Sequence, residues 1–220
     1  QIPTLNDLPV RPGKKVLVRA DLNVPLKDGK VSDDTRIKES LPTINYLLKK
    51  KAIVILLSHL GRPKAVDDSL RMDPVAERLR KLLKCHVIKV DDCVGAEVED
   101  AINEAHSGDV VVLENVRFHD EEEANDDSFA RALAEQADYY VNDAFGTAHR
   151  AHASTALIAA QFPGNSMFGY LIENELKAMD KVLQAPEKPF TAIMGGAKVS
   201  DKIMIIENLL SRVDNLIIGG

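Results

Sequence analysis

Cysteine is scarce in this sequence. Cys85 and Cys93 are the only two in 220 residues. They supply neither a disulfide framework nor a zinc site, and both are expected to be ordinary reduced thiols. Long apolar runs are missing too, since the longest unbroken one, Ala52 to Leu57, is far short of a membrane span. The N-terminal stretch QIPTLNDLPV holds no apolar signal core and no initiating Met, so the chain reads as trimmed or begun at a later residue. Absent motifs weaken further classes. There is no G-x-x-x-x-G-K-[ST] loop and no G-x-G-x-x-G fingerprint. Nor is there a G-x-S-x-G elbow, an HExxH pair or a catalytic cysteine setting, so hydrolase readings lose support. His59, His149 and His152 lack partner carboxylates at metal-ligand spacing, which argues against zinc, and no metal ligand is assigned. His86, His106 and His119 read as incidental. Positive charge is the minority: 28 Lys and Arg against 34 Asp and Glu leave a net −6. That balance argues against a nucleic-acid surface but leaves room for a local basic pocket.

What is present is an ordinary globular composition, 45% hydrophobic and 28% charged. The chain is long enough to bury a core without staples, and a soluble, intracellular protein is expected. At roughly 100–200 residues per domain, its length amounts to about one and a half domains. No fixed-period repeat or low-complexity tract is found.

Short β-branched runs alternate with helical patterns. Strands are predicted at Lys15–Arg19, Ala52–Leu57, Val87–Val90, Val110–Leu113 and Tyr139–Asn142, with another near Met167–Gly169 and two more at Thr191–Met194 and Leu216–Ile218. Helical spacing covers Arg36–Lys51, with Pro42 marking a kink or a late start. Asp73-Pro74 reads as an N-cap followed by proline at the first helical position, opening a helix to about Leu83. Further helices are expected over Ala96–Ala105, from a Ser128 cap through Ala137, and over Ser154–Gln161, Ile172–Leu183 and Ser200–Leu210. The acidic stretch from Asp120 to Asp127 reads as a solvated loop and helix start. The alternation implies βαβ crossovers: an α/β, Rossmann-like doubly wound and mainly parallel sheet with helices on both faces.

In open parallel sheets ligands bind outside the carboxyl ends of the strands. Asp21 and Asn23 follow the first predicted strand, and Ser58, His59 and Arg62 the second. Asn115 and Arg117 follow the fourth, and Asp143, His149, Arg150 and His152 the fifth. Arg36 can join them from the first helix. Converging guanidinium groups repel one another unless an anion lies between them, and their forks match phosphate and carboxylate oxygens. The coincidence points to a small polyanion site. Each Arg alone could equally be a solvated loop residue, and Asp21 and Asn23 could simply bond turns. A second constellation is MGGAKVSDK, where Gly195 and Gly196 allow close approach of a ligand. Lys198 and Lys202 then enter a helix four residues apart on one face. A tight turn with two solvated lysines explains that spacing equally well.

At these segments the sequence resembles the phosphoglycerate kinase family along its whole length. RADLNVP (Arg19–Pro25), SHLGRPK (Ser58–Lys64), ENVRF (Glu114–Phe118), NDAFGTAHRAHAS (Asn142–Ser154) and GGAKVSDKI (Gly195–Ile203) follow that family's signatures in order and spacing. The resemblance implies reversible phosphoryl transfer between ATP and the carboxyl group of 3-phosphoglycerate, giving 1,3-bisphosphoglycerate and ADP, in a two-domain enzyme whose cleft closes. It implies that Arg62, Arg117 and Arg150 hold the 3-phosphate, while Asp21 and Asn23 orient the glycerate and His59 joins the basic patch. Arg36 would face the transferring group. Gly195, Gly196, Lys198 and Lys202 would hold the phosphates of Mg-ATP or Mg-ADP, with Arg36, Lys198 and Lys202 acting in catalysis. No prosthetic group, nucleic acid or membrane is implied, and a cytoplasmic monomer is expected.

On this reading residues 1–170 form the substrate domain, 171–185 a connector helix, and 186–220 the truncated opening βαβ of a nucleotide domain. The family's adenine pocket and its Gly-Gly-Asp metal segment do not occur before Gly220, so the chain is expected to bind 3-phosphoglycerate but to be inactive alone. Two other classes compete: a non-catalytic phosphometabolite-binding α/β module, and an NAD-dependent oxidoreductase, which lacks its glycine fingerprint.

Overall fold

KVLVRA, at the start of the chain, is buried at five of its six positions, as a strand covered on both faces should be. The computed structural model describes residues 4–144, 153–184, 191–194 and 215–218. In chain order its elements are β1 (Lys15–Ala20), a hairpin of β2 (Leu26–Lys27) and β3 (Lys30–Val31), α1 (Thr35–Lys49), β4 (Ile53–Leu57), α2 (Asp73–Leu82), β5 (Val87–Lys89), α3 (Ala96–Glu104) and β6 (Val110–Val112). There follow α4 (Asp120–Glu123), α5 (Asp127–Ala134), β7 (Tyr139–Asp143), α6 (Ile158–Ala160), β8 (Ser166–Phe168), α7 (Tyr170–Gln184), β9 (Thr191–Met194) and β10 (Asn215–Ile218).

Six strands make one sheet in the order β5-β6-β4-β1-β7-β8, and every pairing in it is parallel. All six carboxyl ends therefore share one edge. Lys15–Arg19 pair with Ile53–Leu57 on one side, and Val16–Ala20 with Tyr139–Asp143 on the other. After β6 the chain crosses to the opposite side of β1, so the topological switch lies beside β1, where doubly wound sheets open a crevice. Separately, β9 and β10 pair in parallel, Thr191 opposite Asn215.

Alternation along the strands divides the core. Val16, Val18, Val54, Leu56 and Val112 pack with Ile37, Ile44 and Leu47 of α1 and Val75 and Leu79 of α2. Leu17, Ile55, Leu57, Val111 and Tyr140 pack with Val98 and Ile102 of α3 and Phe129 and Leu133 of α5. Helices thus cover both faces, as predicted. Each fully buried Ile or Leu contributes roughly 1.5–3 kcal/mol, which explains why α1 runs unbroken through Pro42 although an interior proline costs about 3 kcal/mol.

Several local expectations are corrected. Pro42 does not mark a late start, because α1 already begins at Thr35. Helix α2 begins at Asp73 with Met72 as its N-cap, leaving the Asp73 carboxylate for another use. Helix α5 is capped by Asp126, which accepts from the Phe129 N–H at 2.8 Å, and not by Ser128. The acidic stretch forms a helical turn, α4, and Glu122 within it is fully buried. The segment from Ser154 opens as a π-helical turn, Ala153–Leu157, before α6. The loop after β1, expected to turn at Asp28-Gly29, does turn there, but its two short strands, β2 and β3, were not expected. The helix expected over Ser200–Leu210 lies outside the described residues.

Candidate functional site

The ends of β1, β4 and β6 are stitched together before any functional group is considered. Beyond β1, the Leu22 N–H donates to Ser58 Oγ at 3.0 Å, and Ser58 Oγ donates to the His59 carbonyl at 2.9 Å. Beyond β6, the Val116 N–H reaches the Ser58 carbonyl at 3.1 Å.

Within this frame Asp21, Asn23 and Arg36 come together. Asp21 accepts from the Asn23 N–H at 3.3 Å in a tight turn. Arg36 Nη1 donates to the Asn23 carbonyl at 2.8 Å and lies 3.7 Å from Asp21 Oδ1. The Arg36 side chain is still half exposed. Its helix is anchored because Asp34 binds Arg78 of α2 at 2.5–2.7 Å, a pairing that lowers the Asp34 pKa. Asn23 Oδ1 accepts from the Gly61 N–H at 2.9 Å. Gly61 has φ +64°, and a Cβ there would run into the Leu70 side chain, so any other residue at this position would be strained. Asn23, Arg36, Leu60 and Gly61 line a cleft of about 820 Å³, together with Asp33 and Glu39.

His59 is buried, with Nδ1 3.0 Å from Arg19 Nη2. A guanidinium can only donate, so Nδ1 accepts and the ring proton sits on Nε2. Arg19, absent from the predicted site, is fully buried and also donates to Ser154 Oγ at 3.0 Å and to the Ala20 carbonyl at 2.9 Å. Ser154 is held in turn by Glu122 Oε1, which takes its N–H at 2.8 Å, and by the Tyr140 hydroxyl, which donates to its carbonyl at 2.7 Å. Burial pushes the Tyr140 pKa up, keeping that hydroxyl a donor. Arg62 stands exposed at the loop surface. Arg117 is buried on a 3-10 turn, its Nε 3.4 Å from Glu123. The strand-end edge is therefore less uniformly cationic than the sequence suggests, because Asp21 and Glu123 lie against two of its arginines. Arg150, His149, His152, Gly195, Gly196, Lys198 and Lys202 lie outside the described residues.

Glu114 is a second residue that spacing did not expose. Nearly fully buried, it accepts from the Met72 N–H at 2.8 Å and the Asn115 N–H at 2.9 Å, and pairs with Lys89 and with Arg71 at 3.2 Å. Burial works against the Lys89 charge. Hydrogen bonds to Glu114, Asp73 and Asp91 outweigh it and raise the Lys89 pKa. Asp73, Asp91 and Glu114 lie close enough to hold a metal ion, yet they already share this ammonium. Asp92, Cys93 and His119 form another close group. There the Cys93 thiol, its pKa pushed well up by burial, donates to the Glu114 carbonyl. His119, read as incidental, lies 2.7 Å from Asp92 and packs against Phe129. Among the described residues no helix is long and apolar enough to cross a membrane.

A family model described as phosphoglycerate kinase matches residues 5–220. The phosphoglycerate kinase of Dictyoglomus turgidum is 60% identical over 208 residues, covering 94% of this chain and 52% of that protein. That of Pelotomaculum thermopropionicum is 57% identical over 218 residues, covering 99% and 55%. Among solved structures, phosphoglycerate kinase from Coxiella burnetii superposes with a TM-score of 0.77 at 40% identity, over 100% of this chain and 55% of that one. The Pyrococcus horikoshii enzyme gives 0.78 at 36% identity, over 98% and 55%. The chain spans about half the length of the curated relatives it matches. With its motifs and doubly wound sheet in agreement with a family model that matches residues 5–220, the chain belongs to the phosphoglycerate kinase family.

Proposed function

We propose that this chain is the 3-phosphoglycerate-binding half of a phosphoglycerate kinase, which transfers a phosphoryl group reversibly between ATP and the carboxyl group of 3-phosphoglycerate. The observation that carries the reading is that side chains from neighbouring strand ends meet at one edge. Arg36 lies 2.8 Å from the Asn23 carbonyl beyond β1, Arg19 lies 3.0 Å from His59 beyond β4, and Arg117 is buried beyond β6. In the forward step a carboxylate oxygen attacks the terminal phosphorus of ATP. The new O–P bond forms as the bond to the bridging oxygen of ADP breaks, with no covalent protein intermediate. Such chemistry asks the protein for positioning and charge stabilisation.

Arg62, Arg117 and Arg150 hold the 3-phosphate, while Asp21 and Asn23 orient the glycerate. His59 offers the Nε2 proton, since Arg19 occupies Nδ1. Arg36, tethered but half exposed, faces the transferring group. Gly195, Gly196, Lys198 and Lys202 hold the phosphates of the magnesium nucleotide, which enters as the second substrate. The reading divides the chain into a substrate domain over 1–170, a connector over 171–185 and the start of a nucleotide domain over 186–220, closing about the connector in a cytoplasmic monomer.

The test is a 3-phosphoglycerate titration followed by residue-resolved NMR. The Asn23, Gly61 and Arg117 amides should move together. Arg117→Ala should weaken binding by about tenfold to a hundredfold, the worth of a charged hydrogen bond. Arg36→Ala, in the full-length enzyme, should lower kcat with little effect on substrate affinity. A titration that moves no strand-end amide overturns the reading.

A further inference from the structure

Asn115 has no part in the roles above, yet every hydrogen-bonding position of its side chain is engaged. It is completely buried, three residues beyond the end of β6. Its Oδ1 accepts from the Leu60 N–H at 3.2 Å and the Arg117 N–H at 3.1 Å. Its Nδ2 donates to the Leu60 carbonyl at 2.7 Å and the Leu70 carbonyl at 3.0 Å. A primary amide has two acceptor lone pairs and two donor protons, so every site on the group is used.

The partners define what it joins. Leu60 sits between His59 and Arg62 on the loop after β4, and Leu70 lies on the returning limb of that loop, before α2. Arg117 is on the turn that follows β6. Because both the N–H and the carbonyl of Leu60 are bonded to one amide, the orientation of that loop's backbone is fixed relative to Arg117. Little slack remains to absorb a change. Asn23 holds the next residue, Gly61, at 2.9 Å, and Glu114 repeats the tie one residue earlier by accepting from both Met72 and Asn115. The plainer role, a buried amide that merely satisfies loop backbone groups, accounts for the bonds. It does not account for their running between the loop of His59 and Arg62 and the backbone of Arg117 itself.

We infer that Asn115 is a positioning residue, setting the separation of the His59–Arg62 loop from Arg117 and so the fit of a phosphate group between them. The inference rests on the proposed 3-phosphoglycerate site. Asn115→Ser keeps a side-chain oxygen for the Arg117 N–H but is too short for Leu60 and Leu70. In the intact protein, calorimetry below the melting transition should show 3-phosphoglycerate bound about tenfold more weakly, as expected when binding groups are slightly misplaced. In an Arg117→Ala background the same change should cost no more than about twofold, because the two residues act as a unit.

Wild-type affinity in Asn115→Ser, or an equal loss in both backgrounds, overturns the inference and leaves the site standing. Absence of binding by the wild type, or binding indifferent to Arg117→Ala, overturns the site instead. Should Asn115→Ser fail to fold, the wild type answers through the Asn115 Nδ2 proton resonances. They should shift along the binding isotherm, and resonances unmoved at saturation overturn the inference.

Discussion

On one flank of β1, where β4 and β6 end, a buried carboxylate is surrounded by donors. Glu114 receives two backbone N–H groups and pairs with Lys89 and Arg71. On the other flank, where β7 ends, Asp143 is equally buried with far less support. Its Oδ1 accepts from the Leu171 N–H at 3.0 Å at the start of α7, while Oδ2 has no hydrogen-bond partner among the described residues. Burial raises the Asp143 pKa to about 7, against the opposing hydrogen bonds from Thr43, Leu171 and Ile172. A low-dielectric interior makes a matched polar group strong and an unmatched one costly. One flank is thus held by charge pairs, and the other by a carboxyl group whose charge changes near neutrality.

The largest effect expected from breaking this contrast is at Glu114. Glu114→Ala leaves Lys89 without its most buried partner and strands two backbone donors, and should cost about 4 kcal/mol in urea unfolding. A loss under about 1 kcal/mol would mean that Asp73 and Asp91 suffice for Lys89. At Asp143 the effect is one of pH. A folded-state pKa raised above the unfolded value gives stability that is full below about pH 4 and lost as pH rises through about 7. Asp143→Asn cannot titrate there. Its stability relative to wild type should therefore improve by on the order of 3 kcal/mol between pH 4 and 8. Parallel pH profiles for the two proteins would show that Asp143 is charged throughout.

How much of this could be read in advance depended on distance along the chain. The apolar runs of β1 and β4, and the Ile37, Ile44 and Leu47 face of α1, report their own burial because the pattern is local. The rule that ligands lie beyond strand ends brought Asp21, Asn23 and Arg36 into one group. Arg19 escaped although a signal existed. In KVLVRA it shares a strand face with Leu17, and an inward-facing charge demands buried partners. Those partners, His59 and Ser154, lie 40 and 135 residues away, beyond any spacing argument. Glu114 was hidden for the same reason, since Lys89 and Met72 are separated from it by 25 and 42 residues. The Asp126 cap was confusable with Ser128, because both side chains can serve and only the backbone path chooses between them. In β2–β3 the strands are two residues each, too short for alternation to register.

The smallest expected effect sharpens the contrast at one atom. Gly169 joins β8 to α7, its N–H donating to the Asn142 carbonyl at 3.0 Å while its own carbonyl accepts from Glu173 at 3.0 Å. Its backbone is thereby pinned to β7 and to α7. A methyl group added there would overlap the Asp143 carboxylate, which is fully buried and bonded to the same helix start. Gly169→Ala should therefore cost about 2 kcal/mol, the usual range for forcing atoms into a packed site. Combined with Asp143→Ala, which removes two of the three atoms it meets, the glycine substitution should cost about 1 kcal/mol less than alone. Additive costs would mean that the backbone, and not the Asp143 side chain, resists the methyl. The β7 flank would then be set by the chain path into α7, with the carboxyl group a consequence of that path and not its cause.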